Sequence, residues 1–162
     1  MRRKPLQRRL IGNVVMRKDK INMNAKYFPL TDIWKNDLDA KRNNAKNLVE
    51  NFTGKVLKGK IEDLETLQNV IDSNIIDKND IITFQALGVL LGDIISKETD
   101  SEWCMIEDDY GEDPTLKIRG KRANINALTI ISKRIEENRE INLNEIYDGI
   151  IEYLNTQEFG ED

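Results

Sequence analysis

Apolar residues recur along this chain with two periods, and the change between them divides it. From Thr31 to Phe52, the positions Ile33, Trp34, Leu38, Ala45, Leu48, Val49 and Phe52 follow a helical spacing. Thr31 or Asp32 suits the N-cap, and Gly54 stands where such a helix would stop. Residues 62–74 carry Leu64, Leu67, Val70 and Ile71 on one face, with acids in the first turn where the helix dipole favours them. After Asp77 and Asp80, the stretch Ile81 to Lys97 is apolar on nearly every side, the pattern of a helix surrounded by the rest of a fold. Gly88 and Gly92, four apart, would let another element approach its backbone closely. The period then shortens. Glu102 to Asp108 reads as a strand, Tyr110 to Pro114 as a turn, and Thr115 to Arg119 as a second strand alternating apolar with polar. Helical spacing returns in Ala127 to Asn138 (Leu128, Ile131, Ile135) and in Leu143 to Leu154 (Ile146, Ile150, Leu154), the latter with Asn142 as a cap.

This order predicts an α+β fold, a mostly helical single domain with a small antiparallel sheet built on a hairpin near residues 102–119. A lone hairpin is marginal in water, so a third strand is expected, and the β-capable patch Leu10 to Met16 could supply it. Residues 1–26 read as a basic N-terminal arm or peripheral strand, and 27–162 as the single domain.

Three segments carry a family resemblance: LGVLLGDII (Leu87 to Ile95), WCMIEDDYGEDPTLKI (Trp103 to Ile118) and ISKRIEEN (Ile131 to Asn138). The stretch from Leu87 to about Leu154 resembles an uncharacterised bacterial family, domain of unknown function 3806. The resemblance implies a helix, a hairpin with a D-x-Y-G-x-D type turn, and a closing helix with a Lys-Arg pair. It implies no activity. Cys104 departs from it, standing where an ordinary apolar strand residue is expected.

Charge changes the picture more than composition does. Residues 1–60 hold 16 Lys/Arg against 5 Asp/Glu, and residues 61–162 hold 9 against 24, so the net charge of −4 conceals two oppositely charged segments. Such asymmetry suggests a charged partner. The chain has no His, which excludes Ser-His, Cys-His and His-metal sites. With one Cys no intramolecular disulfide can form, and a reducing cytoplasm fits best. The apolar stretch after the N-terminal bases is broken by Gly12 and Asn13, so a cleaved signal is not expected. Ile81 to Ile95 is interrupted by Gln85 and Asp93 and is too short to span a bilayer, so no membrane segment is read.

Between Asp100 and Asp113 lie seven acids and no base. Three explanations compete: a hydrated turn; a recognition patch of Glu107, Asp108, Asp109, Glu112 and Asp113 around Tyr110 as aromatic anchor; and a hard-cation site, whose EF-hand spacing is absent. The arm bases Arg2, Arg3, Lys4, Arg8, Arg9, Arg17, Lys18 and Lys20 could neutralise phosphates or fold back on the acidic half. Lys121, Arg122, Lys133 and Arg134 could pair with the acidic hairpin or hold a ligand, while Trp34, Trp103 and Cys104 read as core.

With no catalytic set, the leading expectation is a non-enzymatic bacterial binding protein without cofactor or metal. Its most concrete form is a cytoplasmic immunity protein that binds a basic, nuclease-type toxin domain through Glu107, Asp108, Asp109, Tyr110, Glu112 and Asp113. The alternative is a nucleic-acid-associated accessory protein acting through the arm, and a carboxylate or metal enzyme comes third. Oligomeric state is not legible.

Overall fold

The computed structural model describes residues 25–161 in full and, for residues 9–11 and 14–16, the course of the backbone. Its elements are β1 (Arg9–Ile11), β2 (Val14–Met16), β3 (Lys26–Phe28), α1 (Asp32–Thr53), α2 (Asp63–Asp72), α3 (Ile81–Thr99), β4 (Ser101–Asp108), β5 (Gly111–Ile118), β6 (Asn124–Ile125), α4 (Ala127–Glu136) and α5 (Leu143–Thr156). Five helices with a small antiparallel sheet make a mostly helical α+β domain, as the periodicity predicts.

Local chemistry sets the helix ends. The Thr31 hydroxyl accepts from the Trp34 N–H at the start of α1, and Gly54 closes that helix at φ 71 with its N–H on Glu50 O. Asp80 caps α3 through the Thr83 N–H, and Asn142 caps α5 through the Glu145 N–H. Each of these side chains satisfies an amide that the helix leaves without an internal partner. The α2 start differs. The buried Asp63 carboxylate turns backward and accepts from the Lys58, Gly59 and Lys60 amides, fixing the loop that enters the helix.

Helix α3 is the centre. Phe84, Leu87, Val89, Leu91, Ile94 and Ile95 are all buried, on every side of it. A Cβ on Gly88 would lie 2.5 Å from the Leu128 carbonyl oxygen and 2.7 Å from that of Ala127, so the glycine is what lets the start of α4 lie against α3. A Cβ on Gly92 would collide with the Trp103 ring and reach 3.0 Å from the Ala127 Cβ. Both glycines therefore serve close packing.

The sheet has the order β3-β4-β5-β6, all neighbours antiparallel. The expected third strand is corrected here. Residues 9–11 and 14–16 pair with each other as a separate two-stranded ribbon, and β3 supplies the neighbour of β4 instead. Gly12-Asn13 between the two halves of that patch is a dipeptide that favours a tight reversal over a continuous strand. The second hairpin strand also begins earlier than its alternation suggests, at Gly111 rather than Thr115. The chain reverses over Asp109 and Tyr110, with Gly111 at φ 115, where another residue would be strained. Pro114 is accommodated because β6 pairs only with Leu116 and Lys117, leaving that part of β5 without a neighbour on its far side. Among the described residues no helix is long and apolar enough to cross a membrane.

Candidate functional site

The β4–β5 hairpin carries the candidate residues, and its register sorts them. Glu107 stands directly opposite Glu112, Asp108 opposite Gly111, and Ile106 opposite Asp113. Strand alternation therefore puts Glu107 and Glu112 on one face and Asp108 and Asp113 on the other, with Asp109 and Tyr110 at the reversal between them. The Asp108 carboxylate accepts from the Tyr110 N–H at 2.8 Å, which fixes the turn, and the Tyr110 side chain is 53% exposed. None of the five carboxylates enters an ion pair among the described residues. Partial burial, and then the charge of Asp108, pushes the Asp113 carboxyl up, while Lys133 on α4 opposes the rise. The structure thus brings all six predicted residues, Glu107, Asp108, Asp109, Tyr110, Glu112 and Asp113, to one end of the hairpin.

The other two acids of the cluster go elsewhere. Asp100 and Glu102 lie at the hairpin root, where Arg119 donates to Asp100 at 3.1 Å and approaches Glu102 at 3.9 Å. The seven acids consequently fall into two groups, a root pair that shares Arg119 and a tip group that enters no ion pair among the described residues. Among the described residues the basic candidates form no ion pair with the tip either. Lys121 bridges to Glu161 through the backbone and the Arg122 N–H donates to Gly160 O, both near the root. Arg134 is buried, donates to Ile130 O, and has its guanidinium pKa pulled down to about 10 by burial and then by the charge of Arg139. Among the described residues no group of three or more Cys, Asp or Glu side chains converges as a metal site. The bases at positions 2–8 and 17–20 lie outside the described residues.

The root is anchored on the helices. The Trp103 ring rests on Gly92, and its Nε1–H donates to Asp93 Oδ1 at 2.9 Å. Asp93 also accepts from Arg42 Nε (2.6 Å) and Nη2 (3.0 Å), so one carboxylate ties α1, α3 and β4 together. That bidentate contact raises the Arg42 pKa further.

On the opposite face of the sheet lies a second polar group that sequence reasoning missed. The Tyr27 hydroxyl on β3 donates to Asn124 Oδ1 on β6 at 3.0 Å, spanning the two strands between. Asn124 Nδ2 donates to Thr115 Oγ1, whose single hydroxyl proton is within reach of both Ile125 O and Asn126 Oδ1. Lys117 Nζ sits 5.1 Å from the Tyr27 ring centroid. By register Cys104 occupies this same face between the bridging residues, and it is buried. Desolvation pushes its thiol up to about 11, Lys117 opposing and Glu102 adding to the rise. A thiol so protonated is a poor nucleophile. Residues 27 and 124 are 97 apart, and no local pattern announces such a pair.

Comparison with known proteins bears on the fold. Residues 63–147 match a family described as Domain of unknown function (DUF3806), which extends the resemblance back to the start of α2. A crystal structure from Bacteroides thetaiotaomicron VPI-5482 is similar with a TM-score of 0.72 at 24% identity, over 80% of this chain and 48% of that one. At that identity the likeness is one of fold, and the chain spans about half the length of the protein it resembles. No curated protein matches the chain.

Proposed function

The chain belongs to that family, and from this premise we propose that it is a non-enzymatic bacterial binding protein, an immunity protein of the cytoplasm whose acidic hairpin tip covers the active site of a basic, nuclease-type toxin domain. The observation that carries this reading is the tip itself: Glu107, Asp108, Asp109, Glu112 and Asp113 gathered without ion pairs among the described residues, on a hairpin whose root is packed and bonded. Clustered carboxylates on an exposed turn raise the rate at which a cationic surface is captured. Tyr110 supplies apolar area for burial, since charge alone sets encounter rate more than residence time. A nuclease must be basic around its active site to hold a polyanion, which makes it a matching surface.

The test is capture from the source organism's lysate at low and at moderate salt, with the full chain and its D108N/D109N/E112Q variant as baits. One stoichiometric basic protein retained by the wild type at moderate salt, and lost by the variant, is the expected result. Equal capture by both baits would remove the tip from the interface. The alternative reading, a nucleic-acid accessory protein acting through the basic arm, rests on residues outside the described part. Mixed nucleic acid that washes off with salt, and that is lost when residues 1–26 are deleted, is what that reading requires.

A further inference from the structure

We draw no further inference here: the strongest candidate, the surface patch at the α1–α2 corner where Phe52, Val56 and Ile61 are exposed among Lys55, Lys58 and Lys60, carries nothing, because Glu50, Glu62, Asp63 and Glu65 in the same stretch offset those lysines and nothing in the structure shows what covers the apolar side chains.

Discussion

The two ends of one hairpin obey different physics. At the root, Trp103 lies on Gly92 and bonds to Asp93, Leu116 and Ile118 are buried, and Arg119 offsets Asp100 and Glu102. At the tip, five carboxylates and an exposed tyrosine share a turn, with Glu107 and Glu112 directly opposed. Like charges facing each other across a strand pair cost stability. The root therefore supports the fold and the tip weighs slightly against it. An exposed arrangement that costs folding energy fits the recognition role proposed for it.

The contrast breaks most visibly at the root. Replacing Gly88 with Ala should prevent α4 from seating on α3, because the new methyl meets two backbone carbonyls that cannot rotate away. We expect a loss of about 3 kcal/mol or more, read by chemical denaturation. Trp103→Ala should cost about 3 kcal/mol through the lost packing and the orphaned Asp93 contact. Wild-type stability would mean, for the Gly88 variant, that α4 does not seat on α3 as described and, for the Trp103 variant, that the hairpin is not anchored as described.

Cys104 sharpens the comparison through pH. Its folded-state thiol is raised to about 11 by burial, so the native protein holds this proton more tightly than the unfolded chain does. The stabilising contribution is intact below the ordinary thiol pKa of about 8.5 and is lost as pH rises toward 11, by an expected ~2 kcal/mol. A Cys104→Ala variant should lack that part of the alkaline decline. Comparison of the two denaturation curves at pH 8 and pH 10.5, values chosen as about half a unit from each pKa, measures it.

At the tip, E107Q/E112Q should leave the protein as stable as before or stabilise it by up to about 1 kcal/mol, because the change removes a cross-strand repulsion. Destabilisation would show that these carboxylates hold contacts within the protein.

Much of this was legible because it is local. The helical spacing of Leu64, Leu67 and Val70, the caps at Thr31 and Asn142, and the all-round apolarity of Ile81 to Lys97 are each set within a few residues. The tip residues were legible for the same reason, being contiguous. What escaped is long-range. That β3 rather than the Leu10 to Met16 patch borders β4 depends on pairing across about eighty residues, and three-residue strands carry little alternation to read. Tyr27, Thr115, Lys117 and Asn124 are unremarkable in their own neighbourhoods and form a network only once the sheet assembles. The division of the acids into a root pair sharing Arg119 and a tip without ion pairs among the described residues likewise needed the register that brings Arg119 beside Asp100.

The central claim is that the tip serves recognition at no benefit to folding, and one paired measurement addresses it most directly: thermal unfolding and partner capture for the wild type and D108N/D109N/E112Q. The account expects an unfolding midpoint equal to or above that of the wild type together with loss of the captured basic protein. A lowered midpoint with capture intact would contradict it, making the acidic turn part of the fold and leaving recognition to another surface.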